Sequence, residues 1–165
     1  MFLRFRKKTP ISALDAGRIH TIEGVVTSPD SVPVPDTRIK CVYYFMFSEV
    51  YRKGPRGRGR PLWFVEGQRT GGTGFEVSDD TGTVWVSTAE QPVDLAGAAR
   101  ESGHVGKKGR RRYSVDFIRN GDTVRIRGEI ENGGTGAESG LSITSPQSGK
   151  ALEVLVRKIS QKDSA

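Results

Sequence analysis

A single cysteine, Cys41, and two histidines, His20 and His104, are all this chain holds of the residues that most often bind zinc or serve as thiol nucleophile and general base. One cysteine excludes an intramolecular disulfide framework and suits a reducing compartment. With two histidines it falls short of a recognisable metal site, so no cofactor is expected. Long apolar runs are also missing. The longest, residues 41–47, is far below the ~20 residues that a membrane-spanning helix requires. The amino terminus, MFLRFRKK, is basic but lacks the apolar stretch and small-residue cleavage site of a secretory signal. A cytoplasmic location is expected, and no internal repeat is visible.

Charge is present in quantity and unevenly placed. Three segments hold fourteen cations and no carboxylate: Arg4, Arg6, Lys7 and Lys8; Arg52, Lys53, Arg56, Arg58 and Arg60; Lys107, Lys108, Arg110, Arg111 and Arg112. The whole chain is +7, so everything outside them is net −7. A mildly acidic body carries one basic tail and two basic loops.

Strand-like runs separated by Gly, Pro, Asn and Asp clusters predict a mainly β domain, with an α+β domain as the alternative. A chain of 165 residues suits one domain: a basic tail over residues 1–10, the domain over 11–160, and a short tail over 161–165. Residues 11–16 predict one helical turn capped by Ser12 or Thr9 and ended by Gly17. Residues 19–27 read as a strand in which Gly24 marks a bulge or close backbone approach, and residues 39–51 as a long strand dense in aromatic and β-branched residues. The stretch RKGPRGRGRP over residues 52–61 has no apolar side chain and reads as a solvated hairpin tip.

Residues 75–86, FEVSDDTGTVWV, alternate apolar and polar on both sides of an Asp-Asp-Thr-Gly turn. Phe75 and Val77 share one face, Val84 and Val86 likewise, and Gly82 supplies the positive φ that a short loop asks for. Asp79 and Asp80 fold back on backbone amides rather than on a cation. Residues 89–112 read as irregular, with a helical turn in VDLAGAA, and residues 113–118 and 122–131 as a second hairpin around Asn120-Gly121. Leu141 to Thr144 reads as a short strand. Leu152, Leu155 and Ile159, with Val156 beside them, recur at helical spacing and predict a C-terminal amphipathic helix.

In the order CVYY, FEVSDDTGTVWV, RYSVDFIRNGDTVRIRGE, the chain resembles the GIDE-type, or beside-a-membrane, domain of mitochondrial E3 ubiquitin ligases and bacterial membrane proteins. The matching positions are Gly24, Cys41, Tyr43, Tyr44, Phe75, Asp79 to Gly82, Tyr113, Ser114, Gly121, Asp122 and Gly128. The resemblance implies an OB-like β-barrel that binds or senses beside a membrane. It departs from the ligases in having no transmembrane helix and no Cys/His cluster for a RING, so ligase activity is not expected.

Enzyme chemistry needs a nucleophile, an acid or base and a charge-stabilising group in one place, and the candidates are few. Cys41 reads as a small buried hydrophobe, and the Gly71 to Gly74 run as a connection, since it opens a strand and lacks the Lys-Ser/Thr of a phosphate loop. Adjacent Tyr43 and Tyr44 must point to opposite faces, so one of them is expected at the surface or under a covering element. The resulting expectation is a noncatalytic binding module. Its polyanion contacts are Arg52, Lys53, Arg56, Arg58, Arg60, Lys107, Lys108, Arg110, Arg111 and Arg112. Phe2, Leu3, Arg4, Phe5, Arg6, Lys7 and Lys8 are expected to touch a membrane, making the protein cytoplasmic and peripheral. The partner is an anionic membrane surface or a protein, with single-stranded nucleic acid as the alternative, and no small-molecule substrate is evident.

Overall fold

A computed structural model describes residues 6–53, 59–106, 110–133 and 140–157. Its strands are β1 (Ile19–Val26), β2 (Val32–Pro33), β3 (Lys40–Cys41), β4 (Tyr43–Arg52), β5 (Leu62–Gly71), β6 (Gly74–Ser78), β7 (Thr83–Ser87), β8 (Val93–Ala96), β9 (Ala99–Val105), β10 (Arg111–Ile118), β11 (Thr123–Asn132), β12 (Leu141–Thr144) and β13 (Leu152–Arg157). The protein is mainly β. Among the described residues, helical structure is confined to a 3-10 turn, Ile11–Ala13, and no helix is long and apolar enough to cross a membrane.

Five strands close a barrel, in the ring order β1, β6, β7, β12, β11 and back to β1. Each junction is antiparallel except β7 with β12, which is parallel. Period-two alternation fills the interior: Phe75, Val77, Val84 and Val86 of the β6–β7 hairpin are at most 1% exposed, beside Ile22, Ile126, Ile130 and Ile143. Two glycines permit closure. A Cβ on Gly24 of β1 would collide with the Ser78 carbonyl and Val77, so this is the close backbone approach expected from the sequence. A Cβ on Gly128 would collide with the Thr144 carbonyl and Leu152, at the point where β11 changes neighbour from β13 (Thr123 to Arg127) to β12 (Glu129 to Asn132).

Two insertions leave the barrel and pair with each other. The β4–β5 hairpin lies between β1 and β6 in the chain and the β9–β10 hairpin between β7 and β11, and together they make a second, antiparallel sheet in the order β5, β4, β10, β9. The short β2–β3 pair helps close a second core, of Val34, Ile39, Cys41, Tyr44, Met46, Val115 and Phe117. Tyr43 and Tyr44 do point opposite ways, yet neither is at the surface. Tyr43 packs in the barrel core and Tyr44 in the second, at 3% and 5% exposure.

Several expectations need correction. The predicted C-terminal helix is strand β13, whose Leu152, Val154 and Val156 are buried at alternate positions between β11 and β8, while Ile159 lies outside the described residues. Leu152 and Val156 fit a strand period as well as a helical one, and pairing on both edges selects the strand. The helical turn expected in VDLAGAA is β8, paired in parallel with β13 and ended by Gly97 at φ +72. β10 and β11 do not form a hairpin. The Asn120-Gly121 turn is present, with Gly121 at φ +90, but it carries the chain from the second sheet into the barrel, and residues 71–74 make the same kind of crossing. At the N-terminal turn, Pro10 stands at the cap position with no side-chain cap bond, and Thr9 instead meets His20.

Candidate polyanion-binding surface

The β4–β10 register brings the two basic loops together. Val50 faces Arg111, Glu49 faces Arg112, and the amide of Tyr51 donates to the Arg110 carbonyl at 2.7 Å, so the tips of both inserted hairpins leave the same end of the second sheet. Among the described residues that end carries Arg52, Lys53, Arg60, Arg110, Arg111 and Arg112; Arg56, Arg58, Lys107 and Lys108 lie outside them. Two of these cations are neutralised. Arg111 meets Glu66 at 3.0 Å, and Arg112 meets Glu49 while its guanidinium lies 4.2 Å from the Trp63 ring centre. Arg52 rests 5.0 Å from the Phe64 ring centre. Among the described residues, Lys53, Arg60 and Arg110 are exposed and have no ion-pair partner.

Apolar side chains emerge beside these cations, a feature the sequence reading missed. Leu62 and Val65 are 59% and 61% exposed and Tyr51 is 39% exposed. Alternation fixes their faces: Tyr51 and Trp63 are cross-strand partners on one face, with ring centres 5.0 Å apart, and His104 lies 5.9 Å from Trp63. On that face Phe47, Glu49, Ser102, His104, Arg112 and Ser114 surround a hollow of about 440 Å³. A bulge between Ser48 and Glu49 lets Glu66 turn toward Arg111.

The tail residues go elsewhere. Lys8 reaches Glu23 of β1 at 3.4 Å, Arg6 and Lys7 are exposed, and Phe2, Leu3, Arg4 and Phe5 lie outside the described residues. Glu23 also receives Arg125 at 2.6 Å and Arg157 at 3.1 Å. Burial would raise its carboxyl, but Arg125, Lys8 and Arg157 together outweigh that and hold it below the usual range.

A second cluster, also missed, joins Thr9 Oγ1 to His20 Nδ1 at 3.1 Å and His20 Nε2 to the Asp15 carboxylate. The order of hydroxyl, imidazole and carboxylate is that of a nucleophile relay. Here the carboxylate is half exposed rather than buried, and the contacts join the N-terminal segment to β1, which makes the cluster a latch. Its hydrogen bond to His20 lowers the Asp15 carboxyl. Among the described residues no group of three or more His, Cys, Asp or Glu side chains is placed to hold a metal ion. No family model matches this chain, and neither a curated protein nor a solved structure is significantly similar to it.

Proposed function

We propose that this chain is a noncatalytic binding module that presents the basic end of its second sheet to a polyanionic partner, and that the partner is an anionic membrane surface or a protein complex upon it. The observation that carries the proposal is the Tyr51–Arg110 backbone hydrogen bond within the β4–β10 ladder, which unites two basic runs about fifty residues apart in sequence into one cationic end. Polybasic groups near anionic headgroups contribute about 1 kcal/mol each, so the three exposed, unpaired cations supply useful attraction before the rest of the loops is counted. The basic, aromatic tail of residues 1–8 is a second contact in this reading.

A closed five-stranded barrel with crossing connections supports an OB-like reading. The GIDE-type reading is supported by where its motif residues fall: Gly24 and Gly128 at the closing contacts, Asp79 in the β6–β7 turn, and Cys41, Tyr43 and Tyr44 in the two cores. Single-stranded nucleic acid is the second reading, favoured by half-buried Phe45 and Phe47 on β4.

The test compares the intact chain, a variant lacking residues 1–8, and a variant with Arg52, Lys53, Arg60 and Arg110 changed to Ala. Each is measured by cosedimentation with phosphatidylserine-containing vesicles and by titration with single-stranded DNA, at two salt concentrations. The proposal expects vesicle binding by the intact chain that weakens in both variants and at high salt. DNA binding that exceeds vesicle binding and survives removal of residues 1–8 would transfer the conclusion to nucleic acid. A chain that binds neither at low salt refutes the polyanion reading.

A further inference from the structure

We infer that the open end of the second sheet docks by insertion, with Leu62 and Val65 entering the boundary between headgroups and acyl chains of an anionic bilayer while the surrounding cations engage lipid phosphates. This rests on the polyanion reading and goes beyond it, because attraction between charges alone leaves the two aliphatic side chains without a role. Leu62 opens β5 directly across from Arg52, which Lys53 follows; Arg60 lies two residues before Leu62, and Arg110 immediately precedes β10 on the far side of β4. Val65 lies three residues further along, about 10 Å at 3.4 Å per residue, within the ~5–10 Å to which interfacial elements bury.

Charge is graded along the same axis. At the tip, the described cations Lys53, Arg60 and Arg110 have no carboxylate beside them, whereas Glu49, directly across from Val65, and Glu66, next to Val65 in the chain, are each engaged by an arginine. An anionic surface meeting this end encounters those cations and Leu62 first, and then Val65 level with carboxylates that are already neutralised by arginines. Long basic side chains can keep their heads among the phosphates while their stems lie along the apolar zone.

The same geometry disfavours a nucleic acid strand at this position. Arg112 lies over the Trp63 ring, and Tyr51 and His104 tilt against it, so Trp63 is packed rather than presented for a base. The freely exposed apolar groups, Leu62 and Val65, are aliphatic and offer no stacking surface.

The experiment places Trp63 as the reporter by changing Trp85, the other tryptophan, to Phe, with circular dichroism to confirm the fold. Vesicles of phosphatidylcholine with phosphatidylserine, with and without brominated acyl chains, are titrated with this protein and with its Leu62→Ser/Val65→Ser variant. Insertion predicts quenching of Trp63 by the brominated lipid and a loss of affinity of about tenfold or more in the double variant, with the salt dependence unchanged. Both sites are exposed, so the melting temperature should hold. Affinity within twofold of the parent together with an unquenched Trp63 overturns insertion, while a salt-sensitive affinity in that same result leaves the polyanion reading standing. Absence of vesicle binding by the parent overturns both.

Discussion

The ring of Tyr44 lies across the backbone of Gly71, its direct cross-strand partner on β5. A Cβ at Gly71 would occupy the space of the tyrosine Cε1 and Cζ atoms. The arrangement recurs two strands away, where Tyr113 covers its own partner, Gly103 of β9. In each case a strand position without a side chain becomes the floor under an aromatic ring, and the ring restores the packing that glycine gives up. The tyrosines therefore fix both edge strands to the central pair of the sheet that bears the basic end.

Gly71→Ala and Gly103→Ala should each destabilise the fold by about 1–3 kcal/mol, because the added methyl must displace a packed ring. Neither glycine is at positive φ, so the effect is steric rather than conformational. Gly67 on the same edge strand has open space around its would-be Cβ. Gly67→Ala should be neutral or stabilising by up to about 1 kcal/mol. Urea unfolding of the three variants checks the ranking, and equal effects at all three positions would contradict it.

Cys41 is fully buried in the second core, where its thiol reaches the Val32 carbonyl at 3.5 Å. Burial pushes the thiol from 9.0 up to about 11, with Asp30 adding to the effect. The thiol group's folded value lies above its unfolded one, so its contribution to stability is complete below about pH 9 and is lost as the pH rises toward 11. Reaction of the native protein with a thiol reagent at neutral pH should accordingly be far slower than that of the unfolded chain. Cys41→Ala should flatten the alkaline fall in stability while costing about 1 kcal/mol or more near neutrality. Rapid stoichiometric labelling of the folded protein would contradict the assignment.

What the sequence could and could not disclose follows from the range of the forces involved. The 75–86 hairpin was readable because its alternation and its turn are adjacent in the chain. Strand β13 was misread because a buried segment flanked on both edges is apolar on successive residues, Val154, Leu155 and Val156, and loses the clean period of two. The Asn120-Gly121 turn was visible as a turn, but whether the strands on either side pair with each other depends on β4 and β1, which lie far away in sequence.

The basic runs were equally plain as composition. Their union at one sheet end rests on contacts such as Arg112 with Glu49, 63 residues apart, which no local pattern encodes. Leu62 and Val65 escaped notice for a related reason: apolar residues in a strand default to the core, and only the finished sheet shows that these two are exposed.

The carboxylate of Asp79 does more than shape its own turn. One oxygen accepts from the Thr81 amide at 2.8 Å, the Thr81 hydroxyl at 2.6 Å and the Gly82 amide at 3.0 Å, while the other accepts from the amide of Ile11 at 2.9 Å, tying the N-terminal 3-10 turn to the hairpin. Burial would raise this carboxyl, but those donors outweigh it and hold it below its usual range. A depressed carboxyl contributes stability that is present above its unfolded value and is lost as the pH falls through the folded one. Asp79→Asn should therefore destabilise by about 1–3 kcal/mol at pH 7, with the gap from the parent narrowing below about pH 4. Gly82, expected from the sequence to need a positive φ, does not have one, and its would-be Cβ meets only Ile11 at 3.5 Å. Gly82→Ala should then stay within about 0.5 kcal/mol of the parent. Thermal unfolding at pH 7 and in acid separates the two roles: a gap for Asp79→Asn that persists unchanged into acid would show that the carboxylate charge is not what the four donors hold.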